Sequence, residues 1–271
     1  MGETRIIFGM LVFAGLFLVS ACKKEGFTPK IFTNVATHSE VSVTNAAPGS
    51  AGMFVLLDNQ QVSLADSLYY GFTSFNLISD SSHPNFTITD TTPYVTISAG
   101  YHQLGLVQAG SSSYLVNLSN YFGSGSKYSV FVIDTLQHGQ LKSVLYEDKY
   151  NTPDDSSKSQ IRFLNLSPDA PSMDVWAYPN AGLDGYKLFA NQSFPLYSYG
   201  NILNSQAFTT IKAGPYYFIA TEAGTNNVLL EGGLILPGKS VITIYAKGLL
   251  SVTTGDRKLD VGIIRYIPKT F

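Results

Sequence analysis

The stretch Ile161-Arg-Phe-Leu-Asn-Leu-Ser-Pro168 repeats, 120 residues further along, the pattern of Val41-Ser-Val-Thr-Asn-Ala-Ala-Pro48. Self-similarity at one long spacing is the signature of tandem copies of a fold. Each copy has about 110 residues, a common size for a domain with its own core. Further segments repeat in the same order: Met53–Val55 with Met173–Val175, Tyr94–Tyr101 with Phe208–Pro215, and Lys127–Ile133 with Lys239–Tyr245.

Within each copy the residue pattern is that of β-strands. Tyr94-Val-Thr-Ile-Ser98 alternates large and small residues and stops at Ala99-Gly100, a turn signal that recurs at Ala213-Gly214. Short strands separated by turns every 8–12 residues or so are typical of antiparallel sandwiches. The sequence therefore predicts an all-β protein with two tandem antiparallel β-sandwich domains of the Ig-like or transthyretin-like kind.

The domain limits follow from composition. We place the two sandwiches at 36–146 and 159–271, joined by a linker at 147–158 that is the most polar stretch of the chain after its first residues. Pro153 and the following serines disfavour a strand or a helix there. The paired carboxylates Glu147/Asp148 and Asp154/Asp155 in this linker are expected to be solvated.

The N-terminus indicates export. Ile6 to Ala21 is an almost unbroken apolar run that follows Arg5 and ends in Val19-Ser-Ala-Cys22. The run is shorter than the ~20 residues that span a bilayer, and a short apolar core before small residues is typical of a cleaved signal. The cysteine at this position resembles a bacterial lipoprotein box. We therefore predict a signal peptide at 1–21, acylation of Cys22, and a tether at 22–35; the alternative is an uncleaved anchor.

Cys22 is also the only cysteine of the chain, so lipidation would leave no thiol for a disulfide or a nucleophile in the folded part. The start Cys22-Lys-Lys-Glu25 loosely resembles the surface-export signals of Bacteroidetes lipoproteins. Acyl chains on Cys22 would hold the protein to a membrane without a transmembrane helix. The expected location is the outer membrane, lipid-anchored, with exposure at the cell surface.

The second copy carries a family resemblance. Its opening, Ile161 to Val175, resembles the signature of domain-of-unknown-function family 4397, in which a strand leads into Asn, Ser-Pro-Asp-Ala-Pro and Asp-Val. The resemblance covers about 160–250, whereas the first copy keeps Asn45 and Pro48 but has Gly-Ser-Ala in place of Asp-Ala-Pro. It implies exported β-sandwich modules, often in tandem, with no established activity and no catalytic residues.

Composition excludes several classes of function. With 17 Lys+Arg against 19 Asp+Glu, a net charge of −2 gives no electrostatic basis for binding nucleic acid. Four His and one Cys are too few for a Cys/His zinc site, and we expect no metal or cofactor. The chain has neither Gly-x-Ser-x-Gly nor His-Glu-x-x-His. All its histidines precede the second copy, so we predict that it is not an enzyme; an envelope hydrolase is a remote alternative.

The signature has polar residues that suit a rigid turn. Asn165, Ser167 and Asp169 are short side chains able to bond nearby backbone N–H groups. The alternative is that Asp169 and Asp174 supply oxygen ligands to Ca²⁺, although such a site needs six to eight oxygens. We expect the structural turn.

Aromatic residues give the one functional indication. In Met173-Asp-Val-Trp-Ala-Tyr178, alternate residues face opposite sides of a strand. Met173, Val175 and Ala177 are expected in the core, which leaves Asp174, Trp176 and Tyr178 on the other face. Aromatic and polar groups together suit sugar rings or a protein partner. The competing interpretation, which the pattern favours, buries Trp176 against a loop or the first domain.

These features predict a lipid-anchored envelope protein of the non-catalytic binding type, with a polysaccharide or an envelope protein as partner. In layout it resembles the glycan-capture lipoproteins of Bacteroidetes, which place β-sandwiches after a lipidated cysteine. The alternative is an adhesin or fimbria-like subunit. In that case Gly262–Pro268 would be a strand donated to a neighbour rather than the last strand of the second domain.

Overall fold

The computed structural model describes residues 37–62, 68–71, 93–108, 111, 113–135, 141–179, 184–195 and 207–266. The predicted signal peptide, Cys22 and the tether lie outside these residues. Within them the first copy has strands β1 (His38–Asn45), β2 (Met53–Leu57), β3 (Gln60–Gln61), β4 (Val95–Ser98), β5 (Gly100–Gln108), β6 (Tyr114–Phe122), β7 (Lys127–Ile133) and β8 (Lys142–Glu147). The second copy has β9 (Lys158–Asn165), β10 (Met173–Tyr178), β11 (Tyr186–Gln192), β12 (Thr209–Lys212), β13 (Gly214–Glu222), β14 (Val228–Leu236), β15 (Val241–Lys247) and β16 (Asp260–Tyr266).

The strands form four sheets of four, and the two copies repeat the same strand order. We name them inner sheet 1 (β4-β1-β7-β8), outer sheet 1 (β3-β2-β5-β6), inner sheet 2 (β12-β9-β15-β16) and outer sheet 2 (β11-β10-β13-β14). The predicted all-β sandwich fold is confirmed. No helix long and apolar enough to cross a membrane occurs in the ranges given above.

One strand pair in each copy departs from the predicted antiparallel arrangement. β1 runs parallel to β7, with Val43 opposite Val130, and β9 runs parallel to β15, with Phe163 opposite Ile244. Parallel strands cannot be joined by a tight hairpin and need a longer connection. Here the connection is the intervening part of each copy, which crosses to the outer sheet and back twice, returning the first time as β4 or β12.

Each sandwich encloses a core between its inner and outer sheets. In the first copy, Val43 and Val130 of the inner sheet meet Val55 and Leu106 of the outer sheet. The core of the second copy includes Met173, Val175 and Ala177, as the alternation of β10 predicts. The remaining side chains of β10 therefore point out of the sandwich.

A third core lies between the two inner sheets. Phe131, Ile133 and Tyr146 of inner sheet 1 pack with Leu164 and Tyr245 of inner sheet 2. The inner sheets are thus buried on both faces, and the molecule has four layers in the order outer, inner, inner, outer. Strands buried on both sides have nearly continuous apolar sequences. This explains why the β7 and β15 sequences alternate so little.

The inner sheets also share a buried ion pair. The Arg162 Nη2 atom lies 2.7 Å from the Asp148 Oδ1 atom, and both side chains are almost completely buried. The other oxygen of Asp148 accepts hydrogen bonds from Tyr94 (2.7 Å) and Ser129 (2.5 Å). The prediction that Asp148 is a solvated linker charge is therefore wrong. The chain leaving β8 stays between the sheets, where the carboxylate meets a cation from the second copy.

The guanidinium of Arg162 has partners on every side. Its Nε donates to Thr243 at 2.7 Å and its Nη2 to the Tyr266 hydroxyl at 3.0 Å. The ring of Phe208 stacks 4.5 Å from its central carbon. Burial, the largest single influence, would lower the pKa of Arg162, but the Asp148 carboxylate together with Tyr266 and Tyr94 raises this pKa above its ordinary value, so the guanidinium remains charged.

The last described strand belongs to its own chain. Residues Asp260–Tyr266 pair antiparallel with β15, and Tyr266 is buried among the aromatic rings between the inner sheets. Of the two interpretations of this segment, the structure favours a last strand of the second domain over a donated strand.

Candidate functional site

The outward face of outer sheet 2 carries the aromatic residues of β10. Trp176 lies opposite Lys187 of β11 and Ile219 of β13, and Tyr178 lies opposite Tyr217. Opposite residues of an antiparallel pair present their side chains on the same face. Trp176 and Tyr178 are half-buried, and Tyr217 is 42% exposed. Three rings from two adjacent strands therefore share one surface.

Contacts on the β11 side fix two of these rings. The Lys187 Nζ atom lies 5.1 Å from the centroid of the Trp176 ring, a cation–π contact. The Tyr178 ring lies so close to Gly185 that a Cβ atom there would collide with it. Both rings are thus held in place before any ligand arrives.

The β14 side of the same face is open. Tyr217 lies opposite Gly233, which has no side chain to cover the ring. Glu231 lies opposite Ile219 and is hydrogen-bonded to the Tyr217 hydroxyl; with partial burial, this carboxylate raises the pKa of Tyr217. We call the set Trp176, Tyr178, Lys187, Tyr217 and Glu231 the aromatic surface. In this group of three rings, Tyr178 lies beside Tyr217, while the cation of Lys187 is on the β11 side and the carboxylate of Glu231 is on the β14 side.

Asp174, the third residue expected on this face, has a structural role. Its carboxylate accepts hydrogen bonds from Lys187 Nζ (2.6 Å) and from the backbone N–H groups of Asn191 (2.8 Å) and Gly224 (3.1 Å). The bond from Lys187 and the two N–H groups lower the pKa of Asp174 to about 2. Asp174 therefore positions Lys187 over Trp176 and is itself buried.

Trp176 does not pack against the first copy in the way that the sequence pattern favoured. The two copies meet through their inner sheets, whereas Trp176 is on the outward face of an outer sheet. The alternation of β10 indicated the face correctly. The residue pattern does not indicate that the opposite sheet of each sandwich forms the contact between copies.

Outer sheet 1 has a different outward face. Tyr101 is 84% exposed and Tyr121 is 51% exposed, and their rings meet edge to face with centroids 5.1 Å apart. Beside them, Gln103 donates a hydrogen bond to Asn117 at 2.9 Å. Phe54, at the position that matches Asp174, is half-buried. The two outward faces are thus chemically distinct.

The signature turn is structural and occurs in both copies. The Asn165 side chain accepts from Ser167 N–H at 3.2 Å and donates to the Pro171 carbonyl at 3.0 Å. Asn45 likewise accepts from the Ala47 N–H at 3.1 Å and donates to the Ser50 hydroxyl at 2.9 Å. Each asparagine thereby ties the end of a first strand to the following turn.

Asp169 closes the signature by holding a distant loop. Its carboxylate accepts from the backbone N–H groups of Leu250 (2.7 Å) and Ser251 (2.9 Å) and from the Ser251 hydroxyl (2.7 Å). These contacts support the structural turn over the calcium alternative. No group of three His, Cys, Asp or Glu side chains is placed to hold a metal in the described part of the chain.

One arrangement was not anticipated from the sequence. His102 Nδ1 lies 2.6 Å from Asp58, and its Nε2 lies 3.1 Å from the Ser98 hydroxyl, which is the order of groups in a serine hydrolase. However, Nε2 also lies 2.9 Å from the Ser98 backbone carbonyl, which can only accept. The ring thus contacts two acceptors, Asp58 and this carbonyl, and the geometry fits a link between β4 and the β2–β3 turn.

The comparisons with known proteins agree with the signature. The family model described as a domain of unknown function, DUF4397, matches residues 39–176, about half of the chain. The chain belongs to this family. The DUF4397 match includes the signature from Ile161 to Val175, but it begins in the first copy and ends at Trp176, whereas the resemblance was expected over 160–250.

No curated protein matches the chain in sequence. Among solved structures, a carbohydrate-binding module of family CBM26 from Eubacterium rectale, in complex with maltoheptaose, is 10% identical with a TM-score of 0.25; the match covers 86% of this chain and 98% of that one. The Bacillus anthracis TIE protein is 10% identical with a TM-score of 0.21, over 77% of this chain and 33% of that one. At these TM-scores neither similarity bears on function.

Proposed function

We propose that this DUF4397 protein is a lipid-anchored envelope protein that binds polysaccharide through the aromatic surface and catalyses no reaction. The observation that supports the proposal is the group of three rings, Trp176, Tyr178 and Tyr217, on one sheet face. Polar groups flank it on both sides, Lys187 bonded to Asp174 on β11 and Glu231 beside Tyr217 on β14.

The chemistry of this surface suits a sugar chain. Flat aromatic rings offer large apolar area with a polar edge, and so complement the C–H face of a pyranose ring. Lys187 can donate to sugar hydroxyls and Glu231 can accept from them. Because Gly233 leaves an open position beside Tyr217, between Glu231 and Ile235 on the outward face of β14, an extended chain can lie across the strands there.

The anchor in this proposal rests on the sequence. Cys22 would carry the acyl chains, and residues 22–35 would hold the sandwiches away from the membrane. Replacing Cys22 by Ser should move the protein from the membrane fraction to the soluble fraction of the producing bacterium. An unchanged membrane fraction would contradict lipid anchoring and leave the uncleaved apolar segment as the anchor.

Binding is tested with the chain from Lys23 to Phe271, which contains every described strand. We expect one class within a broad polysaccharide panel to retard it in affinity electrophoresis and to shift its Trp176 fluorescence. Tyr217→Ala should weaken that binding by about tenfold, which corresponds to about 1.4 kcal/mol. The matched control is Tyr121→Ala, which removes a similarly exposed tyrosine from outer sheet 1.

Equal effects of Tyr217→Ala and Tyr121→Ala, or no effect of either, would contradict the placement of the site. Trp176→Phe gives a second test, because it keeps a ring on the half-buried face while removing the indole. It should weaken binding and leave the free energy of unfolding within about 1.5 kcal/mol of the parent. No retardation by any polysaccharide, with the protein folded, would shift the proposal to an envelope protein as the partner.

An adhesin or fimbria-like subunit that donates its last strand finds less support. Tyr266 of β16 donates and accepts within the cluster around Arg162, so this strand is part of its own fold. Deleting residues 262–271 should therefore unfold the second copy, as judged by circular dichroism. A folded deletion variant that no longer polymerises would instead support donation.

A further inference from the structure

Strand β14 forms one edge of outer sheet 2. Within the described part of the chain it pairs with β13 alone. After a bulge near its start, Leu230 to Leu236 is in regular register. Exposed edges usually carry several charged residues, especially lysine, or a proline, which prevent pairing with another chain. This segment has only one charged residue, Glu231, and neither proline nor lysine.

We propose that two molecules of this protein associate by antiparallel pairing of β14 with β14, centred on Gly233. The pairing would join the two copies of outer sheet 2 into one sheet of eight strands. A two-fold contact of this kind uses the same segment on both molecules, so the segment must be complementary to itself. This inference does not depend on the proposed function.

The sequence Leu-Glu-Gly-Gly-Leu-Ile-Leu is complementary to itself about Gly233. Leu230 then lies opposite Leu236, and Gly232 lies opposite Leu234, on the face towards the cores. On the outward face Glu231 lies opposite Ile235, which is 69% exposed in the single molecule. On the face towards the cores, apolar side chains thus meet apolar side chains or the space beside a glycine, and on the outward face the two Glu231 carboxylates each lie beside an isoleucine and not beside each other.

Repulsion between the two Glu231 carboxylates favours pairing centred on Gly233 over pairing centred on Gly232. Centred on Gly233, the two Glu231 residues are separated by four residues along the strand direction, about 13 Å. Centred on Gly232, they would become diagonal neighbours at roughly 7–8 Å. Since charges further apart than about 8 Å are largely screened at physiological salt, the Gly233 centre avoids most of the repulsion.

Packing within one molecule does not require these two glycines. A Cβ atom at Gly232 would meet nothing within 4 Å, and one at Gly233 would meet only the Tyr216 carbonyl at 3.8 Å. Glycine inside a strand weakens it and often marks the close approach of another chain. Two consecutive glycines in the middle of an edge strand fit this explanation.

The equivalent edge of the first copy lacks this character. β6 places Asn117, Ser119 and Asn120 in its middle, between Leu115 and Tyr121. Amide and hydroxyl side chains there favour water over a dry contact. We therefore expect self-pairing at β14 and not at β6.

A pair of charge variants tests the contact. In the proposed register Ile235→Glu places a carboxylate opposite Glu231 of the second molecule, whereas Ile235→Lys places an ammonium there. Both replace the same exposed side chain, so their effects on the single molecule should be nearly equal. Sedimentation equilibrium should show a dimer for the parent chain and Ile235→Lys, and at least tenfold weaker association for Ile235→Glu. A parent that has the mass of one chain at its highest soluble concentration would overturn the proposal, and so would equal association of the two variants.

Cysteine cross-linking tests the register. The chain from Lys23 has no cysteine, so each introduced thiol reports on one position. Gly233→Cys should form a disulfide-linked dimer on mild oxidation, because residues at the centre face themselves within the 4.4–6.8 Å range of Cα separations. Ile235→Cys alone should not, since its two thiols would be about 13 Å apart. A mixture of Glu231→Cys and Ile235→Cys chains should cross-link. Equal cross-linking at Gly233 and Ile235 would overturn the register and indicate random collision.

Discussion

The inner sheets of the two copies have the same strand order, and so do the outer sheets. The side chains nevertheless differ between the copies, for one reason in the inner sheets and for another in the outer sheets. Residue for residue, the pair Ser42/Ser129 of inner sheet 1 corresponds to Arg162/Thr243 of inner sheet 2. The two serines are small and bond to each other at 3.1 Å, whereas Arg162 is the largest fully buried side chain. Large side chains in one copy thus fill the space that small ones leave in the other.

The outer sheets diverge in the opposite sense, because nothing requires them to complement each other. Outer sheet 1 presents Tyr101 and Tyr121 beside amides, and outer sheet 2 presents Trp176, Tyr178 and Tyr217 between charges. The two copies therefore keep the same turns and cores. They differ where they meet, because the side chains of the two inner sheets must fit together, and where they face solvent, because the outer sheets have no such requirement.

The largest effect is expected where the copies meet. Arg162→Met should lower the free energy of unfolding by about 3–5 kcal/mol, because it leaves Asp148 charged and buried without its cation. Chemical denaturation of the chain from Lys23 measures the loss. The additional change Asp148→Leu should restore part of the stability, since it removes the unpaired charge.

Arg265→Met is the matched control for Arg162. Arg265 lies on β16 in the same sheet but is partly exposed, and its replacement should cost about 1 kcal/mol or less. A loss for Arg162→Met no larger than that for Arg265→Met would mean that the ion pair does not hold the inner sheets together.

The second-largest loss of stability is expected at the signature turn, which both copies have. Asn45→Ala and Asn165→Ala should each cost about 2 kcal/mol, because each leaves buried backbone groups of the signature turn without a partner. Thermal or chemical unfolding of the two variants gives the comparison. If only Asn165→Ala were destabilising, the turn of the divergent first copy would not be equivalent, despite its matching hydrogen bonds.

A smaller, pH-dependent effect on the free energy of unfolding is expected from Asp174 of outer sheet 2. The folded pKa of Asp174 is about 2, lowered from 3.8, so its contribution to stability is complete above 3.8 and is lost as the pH falls through about 2. Asp174→Asn should cost on the order of 1 kcal/mol at neutral pH. Its difference from the parent should shrink towards zero at pH 2 in urea unfolding curves. A difference that stays constant with pH would show that packing, and not the carboxylate charge, holds β11 in place.

The sequence predicts the repeated parts well because local rules determine them. Alternation in β10 indicates which residues are in the core, and the Asn165 turn follows from short polar side chains next to prolines. The contact between copies could not be predicted from local patterns, because Asp148 lies in a polar segment and Arg162 in an ordinary strand. Only the packing of the two inner sheets brings them together. The same holds for Tyr217 and Lys187, which join Trp176 through strand register and not through proximity in sequence.

The smallest expected effect tests whether the exposed face of outer sheet 1 is held together by its own rings. Tyr101 and Tyr121 lie opposite each other, at the register position that Pro215 and Ile235 occupy in the second copy. An edge-to-face pair contributes about 0.5–1.5 kcal/mol beyond its burial, and these exposed rings should be at the lower limit. A double-mutant cycle with alanine at both tyrosines should give a coupling of about 0.5 kcal/mol, and the same cycle at Pro215 and Ile235 should give less. Equal couplings in both copies would mean that the aromatic pair adds nothing beyond an ordinary cross-strand contact, and that the two tyrosines stay exposed for a reason other than stability.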